Sequence, residues 1–62
     1  MKIGDWIDTP RFCKVKIKDI FDDIDKCYQA GYIEPTHFKG YGYEILGKHT
    51  GSNTMTFAAL KI

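Results

Sequence analysis

The residues best suited to a chemical role are three lysines, Lys14, Lys16 and Lys18, that alternate with apolar residues. Alternation with a period of two is typical of a β-strand, so the three ammonium groups should lie on one face about 6.7 Å apart. Successive phosphates along a moderately extended nucleic-acid strand are separated by roughly 6–7 Å. Together with Arg11, which lies just upstream, the row predicts a surface that contacts phosphates.

The overall charge neither requires nor excludes such a surface. Nine basic and eight acidic residues give a formal net charge of +1, which indicates no whole-chain preference for nucleic acid, anionic membranes or cationic partners. The charge is nevertheless uneven: residues 1–18 carry five basic and two acidic residues, and residues 19–34 carry one basic and five acidic residues. An alternative therefore stays open, in which the lysines pair with Asp5 and Asp8 or keep a sheet edge from aggregating.

A second group of side chains with chemical potential is a cluster of aromatic residues between Tyr32 and Tyr43. If these rings are exposed, they would form a protein-binding surface. We expect this surface to consist of the aromatic residues Tyr32, Phe38, Tyr41 and Tyr43 together with Lys48. The alternative is that the rings complete a core that contains few leucines.

Four further aromatic residues are expected to be buried in the core: Phe21, Phe57, Tyr28 and Trp6. Any of Trp6, Tyr41 or Tyr43 that faces outward could instead stack on a nucleic-acid base.

The cysteines and histidines do not form a recognisable catalytic or metal-binding motif. Cys13, Cys27, His37 and His49 are separated by 14, 10 and 12 positions, with no short chelating pair. The segment from Gly42 to Lys48 fits GxxxxGK, but His49 follows where a magnesium-binding hydroxyl is needed. A chain of 62 residues must also use most apolar side chains in one core, which leaves little for a cleft. We expect no enzyme, no cofactor, no metal and no small-molecule substrate.

The elements that must position these residues follow from periodicity. Residues 5–8 and 13–18 read as a β-hairpin, and residues 19–30 read as a helix with an apolar stripe and Asp19 near its start. Residues 41–46 and 54–62 read as two further strands, joined by the loop 47–53. The predicted fold is α+β, a single domain over residues 1–62 with the order ββαββ and one helix packed on an antiparallel sheet.

The N-terminal residues lack the apolar stretch of a secretory signal, and no apolar run approaches the roughly 18 residues that cross a bilayer. We therefore expect a cytoplasmic protein without membrane contact and with reduced cysteines.

The chain resembles a family of short uncharacterised proteins and domains carried on integrative conjugative elements of Gram-positive bacteria. The resemblance lies in three segments, within residues 3–13, 30–37 and 46–59. Their characteristic stretches are Ile3-Gly-Asp-Trp-Ile-Asp-Thr-Pro-Arg-Phe-Cys, Ala30-Gly-Tyr-Ile-Glu-Pro-Thr-His, and Leu46-Gly-Lys followed by Asn53-Thr-Met-Thr-Phe-Ala-Ala. The resemblance implies an accessory factor of a mobile element but no particular activity. The near-zero net charge argues against imitation of DNA by an acidic surface. We expect a non-enzymatic interaction module for a protein of the element's machinery, with a small nucleic-acid-binding domain as the alternative.

Overall fold

Alternating apolar and polar residues fold most of this chain into β-sheet. The computed structural model describes residues 1–62 and places 55% of them in strands and 10% in one helix. The elements are, in chain order, β1 (Trp6–Thr9), β2 (Cys13–Phe21), α1 (Ile24–Gln29), β3 (Glu34–Gly40), β4 (Tyr43–His49) and β5 (Met55–Lys61). No helix in this structure has the length and apolar character needed to cross a membrane.

The predicted ββαββ architecture is wrong, because three strands follow the helix and the sheet is mixed. The strand order is β1-β2-β5-β4-β3, and β5 runs parallel to β2 while all other neighbouring strands are antiparallel. The helix and β3 carry the chain across to the far edge, and the β3–β4–β5 meander then returns to the middle of the sheet. The result is a curled half-barrel whose edge strands β1 and β3 approach each other.

The predicted helix over residues 19–30 is too long at its start, and the hairpin that precedes it is confirmed. Residues 19–21 continue β2 and pair with Ala58, Ala59 and Leu60 of β5 after a bulge. The β-branched and aromatic side chains of Ile20 and Phe21 suit a strand, and pairing with β5 outweighs their helical spacing. The helix is instead capped by Asp23, whose Oδ1 accepts a hydrogen bond of 2.8 Å from the backbone N–H of Asp25.

Each face of the sheet has its own small core. The inner core lies within the curl, and the outer core lies under the helix. The inner core consists of Val15, Ile17, Ile45, Phe57 and Ala59. The outer core consists of Cys27, Tyr32, Leu46, Ala58 and Leu60. Residues 57–60 of the central strand β5 alternate between the two cores, and all four are buried.

The helix contributes less to the core than its apolar stripe predicts. Ile24 and Tyr28 are about half exposed, and Cys27 is the buried residue of the helix. Because α1 has only six residues, it covers the outer core between β2 and β5 and leaves the outer side of the hairpin uncovered.

Candidate nucleic-acid interface

The outer side of the β1–β2 hairpin combines an exposed tryptophan with the predicted lysines. Trp6 pairs with Lys16, and Asp8 pairs with Lys14. Residues directly opposite each other in an antiparallel pair project from the same face, so these four side chains share one surface. Lys18 lies at the end of this row, at the bulge where the register of β2 shifts. We refer to Trp6, Asp8, Lys14, Lys16 and Lys18 together as the hairpin face.

Trp6 lies on this face because of its parity in β1. Ile7 and Thr9, one and three positions after Trp6, project from the opposite face toward the curl, where Ile7 packs against the inner core. Trp6 therefore projects outward, beyond the part of the sheet that α1 covers, and 63% of its surface is exposed. The prediction that core demand takes Trp6 is wrong, and the exposed indole is the largest apolar group next to the lysines.

The lysines of the hairpin face carry no ion pair. The ion pairs of the molecule are Arg11–Glu34 and Lys26–Asp22. Asp8 lies opposite Lys14 in the register, yet their charged groups do not come within ion-pair distance. With Lys14, Lys16 and Lys18 exposed, the hairpin face has three cations against one carboxylate, so its local charge is more positive than that of the whole chain.

Arg11, the fourth predicted phosphate ligand, is held elsewhere. Its guanidinium lies 2.9 Å from the Glu34 carboxylate and donates to the Pro35 carbonyl at 3.3 Å. It also lies over the ring of Phe12, 5.3 Å from the ring centre. Arg11 therefore joins the β1–β2 turn to the start of β3 and holds one end of the curl, and it does not belong to the lysine row.

The predicted aromatic surface divides between core and exterior. Tyr32 is 2% exposed, and its hydroxyl donates to Asp19 Oδ2 at 2.6 Å. Lys48 covers its ring with Nζ 4.6 Å from the ring centre, and that ammonium donates to the Ala30 carbonyl at 3.0 Å. Burial, and then the hydrogen bond to Asp19, raise the pKa of Tyr32 to about 12. Tyr32 and Lys48 thus form part of the packing between helix and sheet.

The remaining rings of that surface lie at the other end of the sheet. Phe38 and Tyr43 are half-buried against the inner core. Tyr41 is 83% exposed at the β3–β4 turn, and its ring centre lies 6.5 Å from that of Phe38. Of the five residues predicted as a protein interface, Tyr41 is the one that is fully presented to solvent.

The two cysteines are free thiols that differ in exposure. Cys13 is exposed, and Cys27 is buried with its Sγ 3.7 Å from the Tyr32 carbonyl. Burial raises the pKa of the Cys27 thiol, and the nearby Glu44 carboxylate adds to the shift. No group of three or more His, Cys, Asp or Glu side chains is arranged to hold a metal ion.

Comparisons with known proteins give no relative on which a function could be based. No family model matches the chain, and no curated protein or solved structure is significantly similar to it. The resemblance to proteins of conjugative elements stays a prediction from the residues.

Proposed function

We propose that this chain is a non-enzymatic binding domain whose hairpin face binds single-stranded nucleic acid. The observation that carries the proposal is the register pair Trp6–Lys16, which sets an exposed indole directly beside an unpaired ammonium group. Stacking surfaces next to cations that follow the backbone are the usual components of single-strand binding.

Single strands fit this surface better than duplexes. An indole on the face of a sheet can stack only on a base that is not covered by its neighbours, and bases within a duplex are stacked and paired. The hairpin is the edge of a five-stranded sheet, whereas the elements that enter a major groove are a helix or a two-stranded ribbon. The spacing of Lys14 and Lys16 along β2, about 6.7 Å, suits phosphates on either side of one stacked base.

The test is the salt dependence of binding to a fluorescently labelled single-stranded oligonucleotide, measured by anisotropy. Three lysine–phosphate contacts on a single strand predict a slope of log Kobs against log salt of about −2. A Lys14→Gln/Lys16→Gln variant should reduce the slope to about −0.7, because one contact is left. Trp6→Ala should weaken binding about tenfold at every salt concentration and leave the slope unchanged.

Lys26 provides the matched control. It lies on α1 beside Asp22 and away from the hairpin face. Lys26→Gln should leave both affinity and slope unchanged. The proposal is overturned if the wild-type chain retains no oligonucleotide at low salt, or if Lys26→Gln and Lys16→Gln weaken binding equally.

A protein-interaction role is the second candidate, and one observation on α1 favours it. Ile24 and Tyr28, one turn apart, are 47% and 49% exposed on the helix surface, and Asp22 and Asp25 lie beside them. A partner for this surface would present apolar side chains with a basic rim. Calorimetric titration with proteins encoded beside this chain tests it, since Tyr28→Ser should abolish any binding that Trp6→Ala leaves intact.

The cellular setting is part of the proposal as well. The resemblance to proteins of conjugative elements supports a cytoplasmic accessory factor of a mobile element. Both candidate surfaces are compatible with such a role, since one would bind a nucleic acid and the other a protein partner.

A further inference from the structure

The turn between β3 and β4 holds a tyrosine in a backbone conformation that tyrosine disfavours. Gly40 pairs with Tyr43, so Tyr41 and Gly42 form a two-residue hairpin loop. Both have positive φ, +55° for Tyr41 and +79° for Gly42. Asn-Gly is the favoured sequence for this kind of turn, because Asn and Gly tolerate the left-handed region better than other residues do. A bulky ring at the first position costs stability, and such costs cluster at functional sites.

The ring of Tyr41 forms one wall of a groove beside the edge strand β1. The groove has a volume of about 270 Å³, and its other lining residues are Met1, Asp5 and Ile7. The ring of Phe38 stacks against that of Tyr41, with an angle of 27° between the two rings. The volume lies below the range of about 300–1,000 Å³ typical of pockets for drug-sized ligands, so the groove is sized for a group smaller than such a ligand.

The chemistry of the walls defines that ring further. The side chains of Met1, Ile7 and Tyr41 offer apolar contact and a stacking surface, and Asp5 has the single charged side chain of the lining. Asp5 Oδ2 accepts a hydrogen bond of 3.0 Å from the backbone N–H of Lys2, which orients the carboxylate and leaves its other oxygen available as an acceptor. A flat group that donates a hydrogen bond would match these walls.

We propose that this groove is a second base subsite, in which an unpaired base bearing an exocyclic amino group stacks on Tyr41 and donates to Asp5. The inference rests on the proposed binding of single strands by the hairpin face. Cytosine, adenine and guanine each carry such an amino group, and carboxylates accept hydrogen bonds from the cytosine amine in known recognition patterns. Thymine and uracil present carbonyl oxygens on both sides of one N–H, and these oxygens repel a carboxylate.

The two subsites are continuous along β1. Trp6 and Ile7 are consecutive residues of this strand and project from opposite faces, one to the hairpin face and the other to the groove. Since β1 is an edge strand that pairs with a neighbour on one side only, a nucleic-acid strand with one base on Trp6 can pass around this edge and place another base beside Tyr41. The lysines act on phosphates, and Asp5 provides the preference between bases.

The experiment compares two single-stranded oligonucleotides of equal length at neutral pH, one of deoxycytidine only and one of thymidine only. By anisotropy, the wild-type chain should bind the deoxycytidine strand about tenfold more tightly. Asp5→Asn should reduce this preference to about twofold or less without weakening thymidine binding, because an amide lacks the charge and can also donate. Tyr41→Asn, which keeps a favourable turn sequence, should weaken binding of the deoxycytidine strand more than binding of the thymidine strand. Thermal unfolding confirms that both variants are folded.

Each outcome separates the two proposals. If neither oligonucleotide binds, single-strand binding itself fails. If both bind equally well and Trp6→Ala weakens both, the hairpin face stands and the base subsite is overturned. A preference that survives Asp5→Asn unchanged also overturns the subsite, because the carboxylate would then play no part in it.

Discussion

At the scale of single residues, Tyr32 connects the helix to the sheet through a hydrogen bond that depends on its protonation. Its pKa is raised from 10.0 to about 12, so the folded state holds the proton more tightly than the unfolded chain does. This stabilisation is complete below pH 10 and is lost as the pH rises toward 12. We predict that the free energy of unfolding falls by about 2 kcal/mol across that interval, measured by urea denaturation.

The control for this prediction is Tyr32→Phe, which removes the ionisable group but keeps the ring beneath Lys48. The variant should be less stable at neutral pH by about 1.5–3 kcal/mol, because it lacks the hydrogen bond to Asp19. The difference in stability between wild type and variant should shrink above pH 10. A constant difference up to pH 12 would contradict the role given to this hydroxyl.

Tyr41 provides a second prediction, which isolates the backbone cost of the β3–β4 turn. Tyr41→Asn and Tyr41→Ala both remove the ring, but Asn tolerates the φ of +55° better than Ala does. Tyr41→Asn should therefore be more stable than Tyr41→Ala by about 1 kcal/mol in urea denaturation. The same pair at Lys39, an exposed strand position without positive φ, should show no advantage for Asn; an equal advantage at both positions would refute the argument.

Single residues also show what the sequence could predict. Lys14 and Lys16 lie on one exposed face as their alternation predicts, because the period of a strand is local information. Local periodicity could not predict the partners of Arg11 or the exposure of Trp6. They depend on Glu34, which arrives from a distant part of the chain, and on the short helix that leaves the hairpin uncovered.

At the scale of elements, α1 is a small cap with one buried residue. Its apolar stripe predicts burial of Ile24, which is in fact 47% exposed, whereas Ile45 of β4 is fully buried. We predict that Ile45→Ala destabilises the fold by about 2–5 kcal/mol and that Ile24→Ala costs under about 1 kcal/mol. Equal losses in the free energy of unfolding for the two variants would contradict this account, because they would mean that Ile24 is packed as tightly as Ile45.

The connection between the hairpin turn and β3 can be tested through Arg11. Its ion pair with Glu34 is partly exposed, so Arg11→Ala should lower the free energy of unfolding by only about 0.5–1 kcal/mol. Because Arg11 faces away from the lysine row, the salt dependence of oligonucleotide binding should not change. If Arg11→Ala reduced the slope of log Kobs against log salt as much as Lys16→Gln does, Arg11 would have to contact a phosphate after all.

The helix boundary shows why element prediction failed where it did. Ile20 and Phe21 fit the helical stripe, but they also fit a strand, and the choice depends on pairing with Ala59 and Leu60 about 40 positions later. The hairpin needs no distant partner, and its prediction is confirmed. For the same reason the parallel neighbour of β2 could not be predicted from local periodicity.

At the scale of the whole molecule, the uneven charge of the chain becomes a spatial separation. The basic residues of β2 lie on the hairpin face, and the acidic residues that follow lie around the start of α1. A polyanion would therefore be attracted to the hairpin and repelled from the helix. This separation follows from the order of the charges along the chain, which the net charge does not show.

The most direct test of single-strand binding is the amide NMR spectrum of the chain during titration with a single-stranded oligonucleotide. The proposal predicts concentration-dependent shifts at residues 6–8 and 13–18, with the indole N–H of Trp6 among the largest, and little change over Ile24–Gln29. Shifts confined to the helix, or no shifts at low salt with excess oligonucleotide, would contradict the assignment of the hairpin face as a nucleic-acid interface.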